Sequence, residues 1–467
     1  MDAGICFVTF FLLPQIDKRA QEIDLAVIAV DYQHPKVVLA APRVQPNVER
    51  DQQALKKVDA QSSSPMEDTI SRRKEFVKNM MRHAWSNYRR FAWGTNELRP
   101  ITKLETALCT RRERLRVGHS ASVFGTDDLG ATIVDAIDTL WLMDMKEEYK
   151  DARDWIANNL NWSTKAKRYV SVFETNIRFV GGLLSAYALS NDTMFIRRAD
   201  EIAQLLLPAF GTETGIPLAM INPQLEFDYL SHVTGKSIYK EKVAKIREVL
   251  TKLEKPDGLY PLYLNPHSGK WGQRMLALQS AHEENSTLAD HALSLARELG
   301  HTCHESYIRT ETGIGPESFR FTSDVEAVAI ADREKYYILR PEVVSQMDDG
   351  EREKSRVQAI EAWFYLWRVT KEDKYREWCW DVAQAIERHC RVENGYSGIR
   401  NVYSSKVEYD DVQQSFLLSE TLKYLYLVFS DDSVVSLSDW VFNTEAHPFP
   451  PHFVEKLKKM AQQQKVE

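Results

Sequence analysis

Helical periodicity dominates this 467-residue chain and predicts an all-α fold. Two observations carry that expectation. Apolar residues recur at three- and four-residue spacing in segment after segment, while strand-like alternation is confined to a few short stretches. The helical segments alternate with loops and show no sharp repeat, the pattern of stacked helical hairpins; an α/α barrel and an α-solenoid both fit. Hydrophobic content of 43% and charged content of 27% suit a globular chain with a sizeable core. The length allows about three domains or one large helical barrel. A net charge of −7 gives no electrostatic footprint for nucleic acid.

In chain order, residues 1–65 are expected to form an N-terminal anchor remnant and a largely unstructured stem. The apolar run Ile5 to Leu13 falls well short of the roughly 20 residues of a spanning helix. It also lacks the basic flank and clean cleavage site of a signal peptide. Pro35, Pro42, Pro46 and Gln61-Ser62-Ser63-Ser64-Pro65 argue against regular structure here. The folded unit is expected over 66–452, with 453–467 as a tail.

Ile70 to Phe91 predicts an amphipathic helix with the stripe Phe76, Met80, His83, Ala84 and Tyr88, ended by Gly94-Thr95-Asn96. The basic piece from Thr110 to Arg116 reads as a solvated loop. From Gly130 a helix follows with the stripe Ile133, Ile137, Leu140 and Trp141. Asp135 and Asp138 fall off that stripe, as plain surface or as pocket-facing groups. Tyr149 to Leu160 and Ser171 to Leu189 are the next helices. In the second, Glu174 and Arg178 are four apart and can touch. They are either a surface ion pair worth a few tenths of a kcal/mol or a carboxyl oriented by a guanidinium. Further helices are expected over 194–208, 237–253, 286–310, 358–369, 373–390 and 411–429.

The octapeptide Tyr337-Ile338-Leu339-Arg340-Pro341-Glu342-Val343-Val344 predicts a helix start. Proline suits the first helical turn, and a glutamate just after it meets the positive end of the dipole. Taken alone it reads as a helix cap with an ordinary salt bridge, or as a carboxylate fixed for acid/base chemistry.

The five cysteines (Cys6, Cys109, Cys303, Cys379, Cys390) have neither Cys-x-x-Cys nor zinc spacing. Cys379 and Cys390 lie about 16 Å apart along a helix, too far for a disulfide. Sequons at Asn161, Asn191 and Asn285 fit a secretory protein.

Several stretches together resemble one family. They are Met81-Arg82-His83-Ala84-Trp85-Ser86-Asn87-Tyr88, Trp93 to Pro100, Gly130 to Ala136, Val172 to Phe179 and Tyr260 to Pro266. Gly315-Pro316-Glu317-Ser318-Phe319, the octapeptide, Gln414 to Tyr424 and Phe442-Asn443-Thr444-Glu445-Ala446-His447-Pro448 complete the set. Over residues 75 to 450 the chain is similar to the class I α-1,2-mannosidases, glycoside hydrolase family 47, and most of all to their Golgi branch. The resemblance implies an (αα)7 barrel holding one Ca²⁺. It also implies removal of terminal α-1,2-mannose from high-mannose N-glycans with inversion, by a monomer in the Golgi or ER lumen, anchored as a type II membrane protein. Carried over by motif, Glu174 is an acid-side carboxylate and Glu342 the general base, with Glu317 a further carboxylate at the reaction centre. Arg178, Arg340, Pro341, Phe416, Glu420 and Glu445 would shape the sugar site. Thr444 would bind Ca²⁺ through its hydroxyl and carbonyl oxygens. Inversion needs the two catalytic carboxyls roughly 6.5–9.5 Å apart, with room for a water.

The chain departs from the family pattern in four places. After Trp271-Gly272-Gln273 the family carries a block with an Asp-Ser-(Tyr/Phe)-Tyr motif whose Asp is catalytic, and no such motif occurs here. Its absence predicts an incomplete barrel, an orphaned Cys303 and little or no mannose release. A second gap lies between Asn222 and Leu225. Two insertions are the basic piece near 104–116 and the stretch from Ser345 to Ile360. These departures give an alternative reading: a catalytically inactive, lectin-like relative that binds mannose-rich glycans.

Overall fold

The structure is a computed structural model. It describes residues 65–103, 128–162, 170–217, 224–253, 260–261, 265, 267–270, 276–277, 286–321, 326–341, 343–347, 353–357 and 359–450. The stem, the basic piece near 104–116, Glu342, the segment 271–275, Cys6, Cys109, Asn285 and the tail lie outside these residues.

Helices dominate. The first is α1 (Pro65–Phe91), whose core stripe of Val77, Met80, Met81, Ala84, Trp85 and Tyr88 is fully buried. Phe76 sits at the edge of that stripe and packs edge-on against Trp380 at 5.0 Å. Next come α2 (Ala131–Leu142) and α3 (Lys146–Asn159). A short turn (Val172–Glu174) and a π-helical stretch (Thr175–Val180) lead into α4 (Gly181–Ser190). α5 (Thr193–Leu206) starts at Asp192, whose carboxylate accepts the Met194 N–H at 2.9 Å, an ordinary N-cap. α6 (Gln224–Thr234), α7 (Ser237–Lys252), α8 (Ser286–Ile308), α9 (Ala359–Thr370) and α10 (Lys374–His389) follow. A second π-helical stretch (Leu417–Thr421) runs into α11 (Leu422–Val428).

Neighbours in sequence pack as hairpins: α2 with α3, α4 with α5, α6 with α7, α8 with α9, α9 with α10. The chain closes on itself where α1 packs against α11. One continuous apolar core runs through the molecule.

Two expectations about helix faces need correction. Trp141 is not in the α2 stripe; it is 42% exposed and packs edge-on against Tyr149 at 4.9 Å. All of Ala131 to Leu140 is buried, including Asp135 and Asp138. Over Ala131–Leu140 α2 has no solvent face because it packs at once against α3, α4 and both π-helical stretches, and a helical segment enclosed on all sides loses its amphipathic signature. The helix expected from 411 begins only at Leu417, because Gln413 first runs alongside Leu98, donating its N–H to the Leu98 carbonyl at 2.9 Å.

Nine short strands are described: β1 (Tyr260–Pro261), β2 (Leu276–Ala277), β3 (Ser318–Phe321), β4 (Val343–Met347), β5 (Glu353–Val357), β6 (Arg391–Val392), β7 (Gly395–Tyr396), β8 (Val441–Phe442) and β9 (Pro448–Phe449). The octapeptide does not start a helix. Its Val343-Val344 enters β4, which pairs parallel with β3 and antiparallel with β5. Two successive β-branched residues suit the pleated strand. Helix resumes at Ala359, and the Ile360 N–H bonds the Pro341 carbonyl at 3.2 Å. Within the inserted stretch the described residues up to Val357 lie in β4 and β5, and the start of α9 docks back beside Pro341.

Cys303, Cys379 and Cys390 are buried free thiols. Among the described residues no helix is long and apolar enough to cross a membrane.

Candidate active site

Both π-helical stretches carry site residues. The extra residue per turn in such a stretch re-aims side chains that a regular helix would point elsewhere. Glu174 lies just ahead of the first, with its N–H bonded to the Ser171 hydroxyl at 3.3 Å. Arg178 lies within it. The Arg178 Nε donates to Glu174 Oε2 at 2.8 Å, and Nη1 donates to Asp135 Oδ2 at 3.1 Å and to Glu445 Oε1. Glu445 also accepts the Ser419 hydroxyl at 3.0 Å. This is no surface ion pair: Glu174, Arg178, Asp135 and Glu445 are all buried.

Burial works against the charge of Arg178, yet Glu445, Glu174 and Asp135 hold its pKa well above the usual value. Burial raises the pKa of Glu445, Arg178 opposes that rise, and the nearby Asp135 and Glu174 carboxylates add to it. Glu420, from the second π-helical stretch, is buried and adds its negative field to Arg178. One guanidinium thus serves more carboxyl groups than it can neutralise. Such a cluster is poised either to keep a proton on a carboxyl or to take up a cation.

The second half of the site lies across Phe416. The ring centroid is 5.7 Å from the Arg178 guanidinium carbon and 5.5 Å from that of Arg340. Arg340 Nη1 is 3.3 Å from Glu317 Oε1. Arg340 and Pro341 are buried, and Glu317 is half-buried. Leu339, just ahead of them, holds a left-handed φ of 68°, a strained conformation for a branched residue. The structure thus brings together Glu174, Arg178, Glu317, Arg340, Phe416 and Glu445, with Glu420 beside them. Glu342 follows Pro341 in sequence and lies outside the described residues.

Thr444 sits in the turn between β8 and β9. Its hydroxyl oxygen is buried and has no hydrogen-bond partner. A buried, unpartnered hydroxyl beside a surplus of carboxylates fits a hard oxygen-seeking cation. Among the described residues no group of three or more His, Cys, Asp or Glu forms a metal site.

The profile of Glycosyl hydrolase family 47 matches residues 80–224, 222–283 and 274–451. The chain belongs to glycosyl hydrolase family 47. A mannosyl-oligosaccharide alpha-1,2-mannosidase IA of Spodoptera frugiperda is 41% identical over 481 residues, covering 82% of this chain and 67% of that protein. A mannosyl-oligosaccharide 1,2-alpha-mannosidase IB of Homo sapiens is 40% identical, covering 84% and 72%. The solved alpha-1,2-mannosidase from Trichoderma reesei, an (αα)7 barrel, superposes with a TM-score of 0.64 at 22% identity, covering 81% of this chain and 99% of that one.

The family 47 match comes in three pieces that overlap at 222–224 and at 274–283, close to the two places where the sequence analysis expects blocks of the family pattern to be missing. The alignment with the Spodoptera relative is longer than this chain yet uses 82% of it. That relative therefore carries residues within the matched span that this family 47 chain does not.

The motif-based assignment passed over a second layer beneath the site. Asn443 Nδ2 donates to Glu226 Oε1 at 2.8 Å and to the Ile177 carbonyl at 3.0 Å, and Asn176 Nδ2 donates to Glu226 Oε2 at 2.9 Å. Burial raises the Glu226 pKa against these donors. Asp138 is buried with Lys423 Nζ 2.9 Å from Oδ1 and His447 Nδ1 2.8 Å from Oδ2. Burial would push Asp138 up, but Lys423 and His447 hold it down at about 2. The helical stripe concealed Asp138, since a carboxylate off the stripe is usually solvated. The signal that pointed to them was the Asn443–His447 motif.

Proposed function

We propose that this chain is a mannosyl-oligosaccharide 1,2-α-mannosidase, removing terminal α-1,2-mannose from high-mannose N-glycans with inversion. The observation that carries this reading is Arg178, shared among carboxyls from separate elements beside the Phe416 ring. An aromatic face with a few placed charges is the chemistry of a sugar pocket. In this reading Arg178 orients Glu174 on the acid side, toward the departing glycosidic oxygen. Glu342, next to Arg340-Pro341 in sequence, would take a proton from the attacking water. Glu317 is a further carboxylate at the reaction centre, and Glu420 and Glu445 hold sugar hydroxyls and their waters.

Thr444 would hold Ca²⁺ through its hydroxyl and carbonyl oxygens, and the bound ion would fix sugar hydroxyls in its oxygen shell. The unpartnered Thr444 hydroxyl supports that assignment. The proposed setting is the lumen of the ER or Golgi, as a monomer; the exposed sequon residues Asn161 and Asn191 suit it.

A second reading, glycan binding without turnover, is favoured by one observation: no Asp-Ser-(Tyr/Phe)-Tyr motif occurs in the sequence. Loss of one acid/base group slows chemistry by about 10²–10⁴-fold, so the proposed enzyme is slow. The test is proton NMR of a high-mannose N-glycan incubated with the chain and Ca²⁺. Slow appearance of β-mannose supports the mannosidase reading. Line broadening of the glycan with no free mannose supports the second.

A further inference from the structure

Thr444 has a peculiarity that bears on how the site is held. Its hydroxyl makes no hydrogen bond within the protein, so its own side chain does nothing to fix it. The turn around it must be set by its neighbours.

Those neighbours are buried. Asn443 Oδ1 accepts the N–H groups of Glu445 at 3.0 Å and His447 at 2.9 Å, folding the chain tightly around Thr444. Ala446 takes a left-handed φ of 59°. The Ala446 carbonyl accepts from Lys423 Nζ at 2.6 Å. The same ammonium donates to Asp138 Oδ2 at 3.0 Å, which also accepts from Ser185 Oγ at 2.9 Å. His447 Nδ1 meets that oxygen at 2.8 Å. Asp138, Lys423 and His447 come from three separate elements and are at most 1% exposed.

The backbone around the turn leaves no slack. A Cβ on Gly181 would stand 2.6 Å from Asn443 Nδ2, and one on Gly182 would stand 2.8 Å from the Val134 carbonyl and 3.2 Å from the His447 ring. α4 can therefore lie directly against the turn only because it starts with two glycines.

A buried lysine, aspartate and histidine are poor material for stability alone, since apolar residues of equal volume often do as well. What they supply is direction: Lys423 reaches the turn's carbonyl, and Asp138 fixes Lys423 and His447 together. We infer that Asp138, Lys423 and His447 are positioning residues that set the Asn443–His447 turn and so aim both Thr444 oxygens at the cation. This inference rests on the calcium assignment proposed above. It adds that the geometry of the calcium site is imposed from beneath by a charged group that touches neither the ion nor the sugar.

The test is Ca²⁺ binding by isothermal titration calorimetry on the full chain, with circular dichroism and urea midpoints measured without metal. Lys423→Met and Asp138→Asn are each expected to weaken Ca²⁺ by at least tenfold. The double variant should be little worse than either, because both act on one turn. A merely structural role would lower the metal-free urea midpoint and leave the Ca²⁺ dissociation constant of the folded protein unchanged. That result in both single variants overturns the inference. If Lys423→Met fails to fold, Ser185→Ala, which removes one donor to Asp138 and strands no charge, should weaken Ca²⁺ threefold or more; unchanged binding there overturns the inference too. Absence of binding heat in the unaltered chain sinks the calcium assignment itself and this inference with it, and differs plainly from equal binding by parent and variants.

Discussion

The Thr421 hydroxyl donates to the carbonyl of Leu339 at 2.8 Å. This bond links two parts of the site distant in sequence. Thr421 closes the π-helical stretch that carries Glu420, and Leu339 precedes Arg340 and Pro341 in its left-handed conformation. A residue held in that region costs about 1–3 kcal/mol and persists only where its surroundings fix it. The hydroxyl is one such restraint.

Thr421→Val should therefore do more than remove a hydrogen bond. Stability measured by urea unfolding is expected to fall by about 1–2 kcal/mol. The KM for a high-mannose glycan should rise severalfold as the Arg340 segment loses its restraint. A variant with the expected stability loss and unchanged KM would mean that the bond supports the fold and not the site.

Arg178 gives a second prediction. Arg178→Met leaves Glu174, Asp135 and Glu445 buried around an apolar side chain, and breaking a buried pair in this way costs about 3–5 kcal/mol. Lysine should not rescue it, because Nε and Nη1 address different carboxyl groups and a single ammonium has no such fork. Equal denaturation midpoints for parent, Met and Lys variants would contradict the ion network described here.

Thr444→Val separates site from scaffold. Since the hydroxyl has no partner in the protein, its loss should leave metal-free stability unchanged or slightly raised. Ca²⁺ affinity should drop by at least tenfold, as read by calorimetry. A destabilised variant with full Ca²⁺ affinity would refute the role given to Thr444.

Asp410 predicts a pH effect away from the site. Burial lifts its carboxyl to about 6, against donors from the Val412 N–H and the Ser397 hydroxyl. The folded protein therefore holds this proton more tightly than the unfolded chain. Its contribution is full below the ordinary aspartate range and is lost as pH rises through about 6. Between pH 4 and pH 7.5 the loss is of order 1–3 kcal/mol. Asp410→Asn should flatten that part of the urea-midpoint profile and be the more stable protein at pH 7.5. Parallel profiles for parent and variant would contradict the shift.

Much of this was legible in the sequence, and the failures have physical causes. The Glu174–Arg178 spacing on a helix foretold their contact, and the motifs around Arg340, Phe416 and Thr444 foretold which distant segments meet. Whether the pair was surface or site was not legible, because burial depends on α2 and the Asn443–His447 turn closing over it. Asp135 and Asp138 were ambiguous for the same reason: periodicity reports one apolar face and is silent on a helix enclosed all round. The start of a helix at Pro341 was a reasonable local reading that the tertiary structure overrode, since Val343 and Val344 found strands on both sides. The π-helical stretches had no signal in periodicity, being single-turn departures from a regular helix.

Mannosidase activity is tested most directly by mannose release from a high-mannose N-glycan by the purified chain with Ca²⁺, after chelation, and in Glu342→Gln. Slow release of β-mannose is expected, stopping on chelation and abolished in the Glu342→Gln variant. Release that survives both changes, or glycan binding with no release from the unaltered chain, would contradict it.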